Sequence, residues 1–94
     1  MKGIKFSYGE VTYKGRTATL TRKQYAIVQA LVKAAPDGLT TERLFQVVYH
    51  ERRAPLPYEK DLIRVHIKNI RQRLAVLPLV LESRHGFGYR IRLQ

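Results

Sequence analysis

The chain has 94 residues, a formal charge of +11 at neutral pH, 45% apolar residues and no cysteine, with an isoelectric point near 10.5. These figures exclude disulfide staples, thiolate chemistry and Cys-bearing zinc sites, and they leave one modest hydrophobic core as the source of stability. The charge reads as a footprint for a polyanion, and with no long apolar run, signal segment or lipidation motif to favour a membrane, a soluble cytoplasmic protein is expected.

Residues 4–20 (IKFSYGEVTYKGRTATL) alternate in short runs broken at Gly9 and Gly15, which predicts three small antiparallel strands with a hairpin corner at Lys14-Gly15. Thr21 suits a helix N-cap, Gln24 holds the capping-box position, and Leu20 is placed to staple onto Tyr25. The buried stripe of this helix is Tyr25, Val28, Leu31, Val32 and Ala35, and Pro36-Asp37-Gly38 ends it. A second helix starts the same way at Thr40, with Leu39 and Leu44 as staple and Leu44, Phe45, Val47 and Val48 facing inward, and stops near His50. HERRAPLPYE (50–59) has two prolines flanking Leu56, which predicts an irregular loop.

DLIRVHIKNIRQRLAVL (61–77) follows, with Ile63, Ile67, Ile70, Leu74 and Leu77 on one stripe. The other face carries Arg64, Lys68 and Arg71, flanked by His66, Asn69, Gln72 and Arg73, and Asp61 is its one acid. A solvated face gains from Glu–Lys pairs at four-residue spacing. Arg64 and Lys68 are instead like charges at that spacing, which makes physical sense where a polyanion neutralises them; an ordinary solvated face is the competing reading. Pro78 stops the helix, and the alternation in VLESRHGFGYRIRL (80–93) predicts two strands reversing at Gly86-Phe87-Gly88.

The order is strands, helix, helix, loop, basic helix and hairpin, an α+β domain spanning 1–94: a small sheet in 1–20, three helices in 21–77 and a hairpin in 78–94. A helix-turn-helix puts its second helix into the major groove, and a hairpin beside it reaches the neighbouring minor groove or backbone.

LTRKQYAIVQALV, GLTTERLFQVVY, IRVHIKNIRQRL and HGFGYRI together resemble, in order and spacing over essentially the whole chain, the winged-helix effector domain of OmpR/PhoB-type response regulators. The most specific pieces are Val65-His66-Ile67 with Ile70-Arg71 and Leu74, and the wing Gly86-x-Gly88-Tyr89-Arg90. The resemblance implies a four-stranded N-terminal sheet, three helices, a C-terminal hairpin, sequence-specific binding to double-stranded DNA for transcription regulation, and no cofactor. It also implies association with the nucleoid, often as homodimers on tandem repeats. The chain departs from the family pattern where Arg64 replaces an acid, Asn69 an arginine, His85 the arginine before the first wing glycine, and Tyr49 a tryptophan. The family's receiver domain has no counterpart before Met1, so the chain is either a stand-alone regulator, which the Met-Lys-Gly start favours, or a domain cut from a longer protein.

The expected base-edge set is Arg64, Val65, Lys68 and Asn69. The expected phosphate set is Thr40, Thr41, Tyr49, His66, Arg71, Arg73 and Tyr89, with Arg84 and His85 extending it through the wing. His66 has a satisfied surface imidazole as its alternative, and Tyr89 and Phe87 have packing as theirs. Arg52 and Arg53 lie in the loop that touches RNA polymerase in some family members, and plain loop solubility is the alternative. An enzyme is not expected: the acids are scattered, His50, His66 and His85 lack metal-ligand spacing, and no nucleophile elbow or phosphate loop occurs. The rival function is a protein-interaction module using the same basic face on RNA polymerase or another regulator. RNA binding ranks below it, since a stacking sheet of aromatics is missing.

Overall fold

The structure, a computed structural model, describes residues 1–94. Strands β1 (Lys5–Ser7), β2 (Glu10–Tyr13) and β3 (Arg16–Thr19) pair antiparallel in chain order. At the expected corner, Lys14 and Gly15 have φ of 51° and 77°, the mirror-image turn whose twist suits a hairpin. Val11, Tyr13 and Ala18 face the core, while the Thr12 and Thr17 hydroxyls share a 2.9 Å hydrogen bond on the outer face.

The resemblance implied four strands in this sheet, and there are three. β3 runs through Leu20 straight into Thr21, the N-cap of α1 (Arg22–Lys33), leaving no residues for another strand. The fourth short strand, β4 (Leu39–Thr40), lies beyond α1 and pairs with the C-terminal hairpin.

α1 has the expected capping box: Gln24 N–H donates to Thr21 Oγ1 at 3.3 Å, and Thr21 N–H donates to Gln24 Oε1 at 3.0 Å. Its buried residues are Gln24, Ile27, Val28 and Leu31. Ile27, outside the expected stripe, is fully buried, because α1 packs on α2, α3 and β6 and so is covered on several sides. Tyr25 and Val32 sit at the edge of the core, and Ala35 lies in the turn past the helix end. α2 (Thr41–Tyr49) is capped by Thr40, whose Oγ1 accepts the Arg43 N–H at 3.0 Å. It buries Leu44, Phe45 and Val48, and Val47 is half-buried beside α1.

The cationic helix α3 spans Pro57–Leu74 rather than 61–77, which shortens the expected loop. Pro57 occupies N1, where a missing N–H removes no intrahelical bond, and Glu59 Oε1 accepts the Leu56 N–H at 2.9 Å. At the far end Pro78 disfavours helical geometry at the residue before it. The last residues close as a turn, Leu77 N–H donating to Leu74 O at 2.9 Å, and Leu77 is buried there.

β5 (Leu79–Arg84) and β6 (Gly88–Leu93) form the wing hairpin, in a sheet ordered β4-β6-β5. One core joins both sheets and all three helices, with Ile63, Ile67, Ile70 and Leu74 among its members. No helix is long and apolar enough to cross a membrane.

Candidate nucleic-acid interface

The helical period that turns Ile63, Ile67, Ile70 and Leu74 inward leaves Arg64, Val65, Lys68 and Asn69 exposed on the opposite side of α3. Two other elements border this face. Arg64 lines a recess with Thr40, Thr41, Lys60 and Phe87, and a second recess with Thr41, Arg84 and His85 of the wing. On the other side, Asn69 and Arg73 share a polar recess with Thr21 and Gln24 at the start of α1.

The wing is fixed to α2 through β4, by the pairs Leu39↔Tyr89 and Thr40↔Gly88. A Cβ on Gly88 would lie 2.1 Å from the Leu39 carbonyl oxygen, and one on Gly38 would lie 2.2 Å from that of Tyr89. Gly88 is thus required for backbone approach, while Gly86, at φ 71°, serves the turn. Tyr89 is half-buried against the core, which favours its packing role.

Several expected contact residues also brace the fold. Arg71 donates from Nε to Leu81 O at 3.0 Å and from its terminal nitrogen to Ser83 Oγ at 3.3 Å, tying α3 to β5. Arg73 donates to Thr19 O at 3.1 Å, tying α3 to β3. Arg84 donates to the Asp37 carbonyl and stacks 4.6 Å from the Phe87 ring centre. Phe87, although at the wing tip, is therefore covered on one side.

Tyr49 and His66 hydrogen-bond to each other, hydroxyl to Nε2, at 2.9 Å, and Lys23 Nζ lies 4.9 Å from the Tyr49 ring centre. Burial, and then the charge of Lys23, push the His66 pKa below its ordinary value. Burial, and then Glu59, push that of the Tyr49 hydroxyl up. With Nε2 engaged by the Tyr49 hydroxyl, Nδ1 is the nitrogen of His66 left for an outside partner.

The loop arginines differ sharply. Arg53 forks onto Glu59 with two 2.8 Å bonds and stacks on Phe45, 5.2 Å from its ring centre. The Arg53 hydrogen bond, followed by the Leu56 N–H, lowers the Glu59 pKa to about 2. Both arginines are exposed, but Arg53 anchors the loop through its bonds to Glu59, whereas the Arg52 side chain makes none. Arg64 pairs with Asp61 at 2.9 Å, but both side chains are about two-thirds exposed and such pairs are worth little. Lys60 was not among the expected contacts. Its signal was there once the helix is started at Pro57, since Lys60 then stands one turn before Arg64.

The family described as transcriptional regulatory protein, C terminal, matches residues 15–91. The chain is 30% identical over 89 residues to the heme response regulator HssR of Staphylococcus aureus (strain JH9), covering 90% of this chain and 38% of that protein. It thus spans well under half the length of the curated relatives it matches. Among solved structures it is similar to the DNA-binding domain of response regulator AdeR, solved in complex with an intercistronic region (TM-score 0.75, 18% identity, 100% of this chain and 98% of that one). It is similar also to the DNA-binding domain of Bacillus subtilis CssR (TM-score 0.70, 17% identity, 95% and 99%). With its three helices and paired wing, the chain belongs to the OmpR/PhoB-type winged-helix family of transcriptional-regulator C-terminal domains, which are DNA-binding domains and not enzymes.

Proposed function

We propose that this chain binds double-stranded DNA sequence-specifically in transcription regulation, with α3 in the major groove and residues 84–88 of the wing at the adjacent minor groove or backbone. The observation that carries the reading is the exposed face of α3, bordered by the α2 N-terminus and wing on one side and by the α1 N-terminus on the other. A major groove about 12 Å wide admits one helix, and phosphates on its two rims would meet those borders. Arg64, Val65, Lys68 and Asn69 approach base edges; Asn suits adenine through N6 and N7, and Arg suits guanine through O6 and N7. The first-turn N–H groups behind Thr40 and Thr41, the spare donors of Arg71 and Arg73, and His66 Nδ1 take phosphates. Tyr49 acts by orienting His66, and Tyr89 by packing the wing base. Arg84 and His85 extend the footprint along the wing, and Arg52 is the residue offered to RNA polymerase. The AdeR domain, of the same fold, was solved on DNA, which supports the mode.

The test is selection from a random duplex library at physiological salt, with sequencing of the bound pool. A defined motif supports the reading, and a motif repeated about one helical turn apart supports two copies bound head to tail. A pool without enrichment overturns it in favour of a protein-interaction role. On the selected duplex, neutralising about six phosphates gives a slope of log K against log salt near −5, and a slope near zero removes the electrostatic part.

A further inference from the structure

Tyr58, Leu62 and Val65 are 64%, 42% and 54% exposed, and they follow one another along α3 at spacings of four and three residues. The next step of four reaches Asn69, also exposed. At 100° per residue these four lie in one row, on the side away from Ile63, Ile67 and Ile70. The core of the domain is already served by that inner stripe, so folding does not account for a second apolar row. Solubility does not either, because large exposed apolar side chains in series work against it.

The row is one residue wide and has mostly cations or strong donors along it: Lys68, Gln72 and Arg64, the last paired with Asp61, to one side, and Arg73 to the other. A second copy of the chain docking row to row would bring these cations together in a low-dielectric contact, which disfavours self-association through this face. A polyanion with apolar groups set between its charges fits it. The major groove of DNA is such a surface: its apolar feature is the C5-methyl of thymine, and phosphates line both rims. From Tyr58 to Asn69 the row rises about 16 Å, the length of about five base pairs.

We infer that Tyr58, Leu62 and Val65 read thymine methyl groups and that, with Asn69 on adenine, they select an A·T-rich stretch under α3. The inference rests on the proposed entry of α3 into the major groove, and it adds Leu62 and Tyr58 to the residues that determine specificity.

The experiment uses the full chain and two random duplex pools, identical except that one carries deoxyuridine for every thymidine, which deletes the methyl and keeps base pairing. The thymidine pool is expected to yield a motif with an A·T-rich core. Replacing single thymidines of that motif by deoxyuridine is then expected to weaken binding about fourfold per contacted methyl, the factor a buried methyl is worth. Leu62→Ala and Val65→Ala replace exposed side chains and should fold as the parent does; each should bind the thymidine and deoxyuridine duplexes equally at the position it reads. A motif bound equally well with and without the methyls overturns the inference while leaving sequence-specific DNA binding intact. Failure of the thymidine pool to enrich overturns both. Concentration-dependent dimerisation in sedimentation that Leu62→Ala abolishes, with deoxyuridine tolerated, assigns the row to a second copy and overturns the inference as well.

Discussion

The two small sheets differ in how they are assembled. In β1-β2-β3 every pair joins sequence neighbours across a two-residue turn, Ser7↔Glu10 and Tyr13↔Arg16 closing the hairpins. In β4-β6-β5 the hairpin is likewise local, but the pair Leu39↔Tyr89 joins distant parts of the chain through a backbone approach only glycine permits. The turns of the first sheet can change without altering its strand pairing to the rest of the chain, although Val11, Tyr13 and Ala18 still pack on the shared core. The second sets where the α2 N-terminus, the wing and, through Arg71, the cationic helix stand relative to one another. Most of the groups proposed to grip DNA are therefore positioned by one small sheet, Arg73 being tied instead to β3.

Substitution at Gly88 tests this most severely. Gly88→Ala sets a Cβ against the Leu39 carbonyl, a backbone obstacle that no rotamer relieves, and the cost should be about 3 kcal/mol, the upper end for overpacking. Denaturant titration should register that loss, and duplex binding should fall further than the unfolded fraction explains. A variant as stable as the parent would mean that β4 is dispensable. Next in size is Arg71→Ala, which removes the bonds to Leu81 O and Ser83 Oγ. It should cost about 1 to 2 kcal/mol and weaken selected and unselected duplexes alike; weakening confined to the selected motif would assign Arg71 to base reading.

Gly15→Ala is the counterpart in the local sheet. A Cβ there meets nothing within 4 Å, and only its φ of +77° resists the change. Its cost should be roughly 1 kcal/mol, with duplex affinity unchanged once the protein is folded. A large loss of affinity would mean that the N-terminal sheet takes part in the interface.

This contrast also governs what could be read from the sequence. The hairpin at Lys14-Gly15 and the caps at Thr21 and Thr40 depend on residues within a few positions of each other, and they appear as expected. The inner stripe of α3 was legible for the same reason. The destination of β4 was not, because two residues carry no periodicity and their partner lies at the other end of the chain. The start of α3 was obscured by Pro55 and Pro57, read as breakers, although Pro57 is tolerated at N1. The basic residues were legible as a population but not by individual role. Arg53 and Lys68 look alike in sequence, yet Glu59 folds back onto Arg53, whereas Lys68 stands exposed on the outer face of α3.

The smallest expected effect is silent at neutral pH. Glu59, in the first turn of α3, has its carboxyl pKa lowered to about 2 by Arg53, and Glu82 in the wing sheet has its own lowered by Arg92 and Arg90. As pH falls below the ordinary carboxylate value near 4.5, the unfolded chain takes up these protons before the folded one does. Stability is then full above that pH and declines progressively towards pH 2. An acid titration followed by circular dichroism should place this limb between about pH 4.5 and 2 in the parent. In Glu59→Gln the limb should be shallower, because one of the two protons no longer differs between states. If Glu59→Gln retains the parent's full acid slope, the Arg53–Glu59 fork contributes nothing to the linkage, and the distinction between an anchoring Arg53 and an outward-facing Arg52 fails with it.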